Sequence, residues 1–208
     1  MSRTTTSLAA IAAIAALGLA ACSSGTTTPA TQSSAPASAD ASQASSVSIE
    51  SNDGTVEINL PVTRAASLDN RTFEVLQQWN VPLVAAPKKL IPTTVTAFNG
   101  DDVADVGMHR DPNLEALVAA EPDLIISGQR FTKFDAQIKE LAPNVPMINL
   151  EPRDGMPFNE ELIRQVTDLG TIFNKQAEAQ KLVDDFNASI ERAKKAYDGS
   201  STVMAVDV

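Results

Sequence analysis

Cysteine, histidine, tryptophan and tyrosine each occur once in the 208 residues, and cations are outnumbered, 16 Lys+Arg against 26 Asp+Glu. One cysteine cannot form a disulfide within the chain, and one His with one Cys cannot supply the ligands of a structural zinc site. A net charge of −10 argues against a nucleic-acid partner, which needs a basic face to neutralise phosphates. Any anionic ligand must therefore be met by cations placed locally. Catalytic signatures are missing as well: there is no Gly-x-Ser-x-Gly elbow, His-Glu-x-x-His pair or P-loop, and the sole His has no evident Ser or Cys partner. The expectation is a binding protein and not an enzyme, with no resident cofactor or metal.

Arg3 is the only charge before Asp40, and the apolar stretch at 8–19 is too short for a bilayer, which takes about 20 residues to cross. It reads as a secretory signal covering residues 1–21. The run closes on Leu19-Ala20-Ala21-Cys22, which resembles the lipobox of bacterial lipoproteins, where the Cys thiol receives a diacylglyceryl group. Cys22 is thus the expected lipidation site, and the outer face of the cell membrane the expected location. Residues 23–47 are almost wholly Ser, Thr, Ala, Gln, Pro and Gly, too poor in apolar surface to offset chain entropy. A flexible tether is expected over 22–54.

From residue 55 the pattern alternates. Val56, Ile58 and Leu60 recur at period two and predict a strand, with a second at 64–68. Asp69-Asn70 predicts a helix start before Phe73, Leu76 and Trp79, and Asp111-Pro112 another before Leu114, Leu117 and Val118. Strands are expected at 83–86, 105–106, 124–126 and 146–150, and helices at 134–142 and 158–173. Alternation of this kind predicts an α/β fold with a largely parallel sheet, a Rossmann-like lobe over 55–175. Leu182, Phe186, Ile190, Ala193 and Tyr197 then form one apolar stripe on a long helix at 176–199. Residues 202–206 read as a fresh strand with nothing to pair with, so 200–208 is expected to be the first piece of a missing second lobe.

In an open parallel sheet, ligands bind beyond the carboxyl ends of the strands. Four of the eight arginines fall in turns expected there: Arg71, Arg110, Arg130 and Arg153. A guanidinium offers a planar fork of donors and a weakly hydrated charge suited to planar anions and aromatic faces. The plainer alternative is that each is a surface arginine paired with Asp69, Asp111 or Asp154. His109 reads as a polar loop residue, Trp79 as core and Tyr197 as packing.

The stretches Val106-Gly107-Met108-His109-Arg110-Asp111-Pro112-Asn113-Leu114-Glu115 and Glu121-Pro122-Asp123-Leu124-Ile125-Ile126-Ser127-Gly128-Gln129-Arg130 resemble the substrate-binding lipoproteins of ABC importers for ferric siderophores, most nearly the catecholate and petrobactin-type branch. The resemblance implies two α/β lobes joined by one long helix, with ligand held between them, and a chain here that ends after its first lobe. It implies that Arg110 and Arg130 face a ferric catecholate and that Glu115 docks on an arginine of the ABC permease. Cobalamin, haem or a ferric hydroxamate stand as alternative ligands, because fold does not fix ligand. So does a surface interaction protein outside transport.

Overall fold

The computed structural model of this protein describes residues 45–202. The targeting segment, Cys22 and residues 23–44 of the tether lie outside the described residues, as do residues 203–206 of the strand expected after the long helix.

Part of the stretch expected to be tether is paired strand. Strands β1 (Ser46–Ser51) and β2 (Gly54–Asn59) pair antiparallel, with Val47 opposite Ile58 and Ile49 opposite Val56. Cross-strand apolar pairs on one face stabilise such a ribbon, and here they bury Ile49 and Ile58. This corrects the bound of the expected tether, since residues 46–54 belong to a hairpin. Ser51 fixes the hairpin to the body of the protein, since its hydroxyl accepts from the Asn149 amide at 2.9 Å.

The central sheet is built from β3 (Ala65–Ser67), β4 (Leu83–Ala86), β5 (Ala104–Asp105), β8 (Leu124–Ser127) and β9 (Met147–Asn149). Its order is β5-β4-β3-β8-β9, and every neighbouring pair is parallel. The chain thus starts at the middle strand, winds to one edge, and returns to build the other half. That doubly wound topology leaves a crevice where the winding reverses, between β3 and β8. Strands covered on both faces carry continuous apolar runs, as in Leu124–Ser127, where every residue is buried. Side chains alternate between two cores: Leu124 and Ile126 pack with Phe73, Leu76 and Ile148, and Ile125 packs with Leu117, Phe131 and Ile138. Each of these fully buried side chains contributes on the order of 2 kcal/mol from area removed from water.

Between β5 and β8 lies a small antiparallel ribbon, β6 (Gly107–Met108) with β7 (Asp111–Pro112). This corrects the expected helix start at Asp111-Pro112. Gly107 turns the chain at φ +77°, Asp111 pairs with Met108, and the cap of the next helix passes to Asn113, whose side chain accepts from the Ala116 amide at 2.9 Å. That helix is α2 (Leu114–Ala119). Asp69 likewise does not cap α1 (Phe73–Gln78), whose N-cap position is held by Thr72; the Asp69 carboxylate is engaged elsewhere.

Helix α3 (Asp135–Leu141) and helix α4 (Phe158–Ile172) follow β8 and β9. Asn174, at φ +54°, reverses the chain, with the Lys175 amide bonding the Gly170 carbonyl at 2.7 Å, and α5 (Gln176–Ala196) runs back along α4. Twenty-one residues make α5 about 32 Å long. Its apolar stripe reaches the core through Leu182, but Tyr197 is 56% exposed and its hydroxyl donates to the Ser201 carbonyl, so packing does not extend that far.

Candidate functional site

The crevice between β3 and β8 is walled by the loops that follow β3, β8 and β9. Asp69, directly after β3, is fully buried. Its carboxylate accepts from Arg71 Nε and Nη2 at 3.0 Å each, from the Arg71 amide at 3.0 Å and from Gln165 Nε2 at 3.2 Å. Arg71 Nη2 also donates to Glu151 Oε1 at 3.0 Å. The Arg71 fork is thus committed to its own protein, as the plainer reading of that arginine held.

Arg153 is committed too, though to a carboxylate other than the neighbouring Asp154. Its Nε and Nη2 donate to Glu161 at 2.9 and 2.6 Å, and Arg164 adds two further bonds to the same buried group. Donation from Arg153, above all, holds the Glu161 carboxyl down to about 2, below its ordinary range.

Arg110 and Arg130 differ from these two. Both are exposed, and neither has an ion-pair partner among the described residues. Arg110 sits at the β6–β7 turn. Arg130 sits in a 3-10 turn, Gln129–Phe134, which opens directly after Gly128 at the end of β8. Beside Arg130 is a recess of about 230 Å³ floored by Leu68, Leu90 and Phe131 and edged by Asn70, His109 and Gln129. The His109 ring meets Phe131 edge-on, with centroids 6.4 Å apart. Burial first, then the charges of Arg130, Arg110 and Lys133, push the His109 imidazole below its ordinary range. Three cations acting on one imidazole define a positive focus on an acidic chain. Such a surface can hold a multiply charged anion by charge-assisted hydrogen bonds.

The four arginines are therefore brought to one end of the sheet in two kinds, a free pair and a committed pair. Lys133 was not anticipated. Its signal was its spacing: three residues after Arg130 in a 3-10 turn, it falls on the same edge. Glu115 lies in the first turn of α2, exposed and without a side-chain partner among the described residues.

The sequence pattern of the family described as "Periplasmic binding protein" matches residues 66–206. The ferric-anguibactin-binding protein FatB of Vibrio anguillarum is 32% identical over 148 residues, which is 70% of this chain and 46% of that protein. The petrobactin-binding protein YclQ of Bacillus subtilis is 26% identical over 52% of this chain and 33% of its own length. Among solved structures, the siderophore-binding protein BauB, bound to two acinetobactin molecules and ferric iron, superposes with a TM-score of 0.63 at 25% identity, covering 71% of this chain and 52% of BauB. This chain spans about half or less of the length of these relatives. With the β3–β8 crevice, the parallel sheet and the long α5 in place, the conclusion is that the chain belongs to the periplasmic binding protein family.

Proposed function

We propose that this chain is the membrane-tethered, extracytoplasmic N-terminal lobe of a protein that captures a ferric siderophore, of catecholate type, and delivers it to an ABC permease. The role is binding without catalysis. The observation that carries it is Arg130, without an ion-pair partner among the described residues, on the edge of a recess at the switch point of the sheet, with Arg110 near enough for its charge to act on His109 at the same edge. Ferric iron wrapped by catecholates is a multiply anionic complex with planar aromatic edges, so it needs cations and ring faces and no protein ligand to iron. The names of FatB and BauB support a ferric siderophore as cargo. Arg71 and Arg153 have a different part in this reading: they brace the loops, and the free pair meets the ligand.

Cys22 carries the lipid anchor, residues 23–44 form the tether, α5 is the link between lobes, and Glu115 is the carboxylate offered to the permease. An exposed acid beside the amino end of a helix is favoured electrostatically without a partner in its own lobe, which leaves it available to a basic surface. Ferric-siderophore titration tests capture. Delivery is tested by iron–siderophore uptake in cells: Cys22→Ala and Glu115→Lys are expected to reduce uptake while the purified variants bind as before, and normal uptake at matched expression would remove both roles.

A further inference from the structure

The turn that carries Arg130 is held in a conformation its sequence does not favour. Gln129 has φ +54°, in the left-handed region that is costly for a non-glycine residue because its Cβ crowds the following carbonyl. Two carboxylates from other loops oppose that cost. Glu151, after β9, accepts from the Gln129 amide at 2.6 Å and from Arg71 Nη2 at 3.0 Å. Asp69, after β3, accepts from Arg71 through both sides of its fork and from Gln129 Nε2 at 3.4 Å, while Asn70 Oδ1 takes the other bond of that amide. Within the turn, the Phe131 amide donates to the Gly128 carbonyl at 3.2 Å and Thr132 Oγ1 to the Gln129 carbonyl at 2.8 Å. A single oxygen, Glu151 Oε1, is the atom that joins all three loops.

We infer that Glu151 is a positioning residue for Arg130: by holding the Gln129 amide while paired to Arg71, it fixes the left-handed turn and so aims the free guanidinium at the recess. Glu151 itself is a loop carboxylate with 27% of its side chain exposed, and Arg71, shared with Asp69, offsets part of the repulsion it would exert on an anionic ligand. The pairing thus does two things at once, offsetting part of the Glu151 charge and setting the direction of the cation beyond it. This inference rests on the reading that Arg130 meets an anionic ligand.

The test has one arm that needs no ligand. In Glu151→Ala, amide hydrogen exchange at Gln129 and Phe131 is expected to rise by about tenfold or more, with Ile125 and Ile126 in β8 unchanged. Glu151→Gln keeps an oxygen for the Gln129 amide and is expected to restore most of the protection. The second arm is equilibrium dialysis against the iron(III) complex of 2,3-dihydroxybenzoate. There Glu151→Ala is expected to weaken binding by about tenfold, and to change it by less than about twofold in an Arg130→Ala background, because the two act through one contact. Unchanged exchange at Gln129, or a loss that adds fully to that of Arg130→Ala, would overturn the positioning role. Should Arg130→Ala bind as tightly as the parent, the ligand reading fails instead, whatever the exchange arm shows. If Glu151→Ala does not fold, Glu151→Asp, whose shorter arm cannot reach both donors, takes its place in both arms.

Discussion

Gly128 lies against the buried carboxylate of Asp69 with no room for a side chain. A Cβ built there would stand 2.7 Å from Asp69 Cβ and 2.8 Å from Oδ2. The φ of Gly128 is 170°, extended backbone open to any residue, so the constraint is space and not conformation. Because Asp69 is itself pinned by Arg71 and Gln165, it cannot swing aside. Gly128→Ala is expected to cost about 1 to 3 kcal/mol, as overpacking of a tight interior does. Denaturant unfolding checks it, with a lowered midpoint at unchanged slope as the expected result.

Acid should loosen the loop between β9 and α4. Glu161 has a folded value of about 2 against an ordinary 4.5, chiefly through Arg153. A depressed carboxyl contributes stability that is present above 4.5 and is lost as pH falls from 4.5 through 2. Glu161→Gln should therefore be less stable than the parent at neutral pH, by about 3 kcal/mol for a broken buried pair, with the difference narrowing over that acid range. Melting temperatures of both proteins as a function of pH measure the convergence.

The positive focus can be read at His109. Burial and the charges of Arg130, Arg110 and Lys133 hold its imidazole below the ordinary range. Removing either arginine leaves burial in place but takes away part of the repulsion, so Arg130→Ala and Arg110→Ala should each move the titration upward. Proton NMR of the single histidine follows it directly. An unmoved titration would mean that the two guanidinium groups do not converge on this ring.

Much of the architecture was legible because it is written in local pattern. Leu124-Ile125-Ile126 and Leu83 to Ala86 are apolar runs of strand length, and Phe158 to Phe173 repeats at helical period, so sheet and helices emerged near their observed positions. The helix starts were misplaced where an acid had a stronger use. Asp69 looked like a cap but serves Arg71 and Gln165, and Asp111 belongs to a two-residue ribbon while Asn113 does the capping. The first strand was hidden because Val47 and Ile49 sit among serines, and only pairing with Ile58 and Val56 reveals their face. At the site, the arginine positions were readable and their division was not. Whether an arginine is free depends on partners distant in sequence, such as Glu151 for Arg71 and, at closer range, Glu161 for Arg153.

Whether Arg110 and Arg130 form an anion-binding edge for a ferric siderophore is decided by titrating the chain and its variants with an iron(III) tris-catecholate complex at low ionic strength. The expected result is saturable binding that each of Arg110→Ala and Arg130→Ala weakens by about 1.5 to 3 kcal/mol, while Lys194→Ala, an exposed change on the far end of α5, leaves it unaltered. A double variant, Arg110→Ala with Arg130→Ala, that binds as tightly as the parent, or a parent that shows no saturable binding, would contradict it.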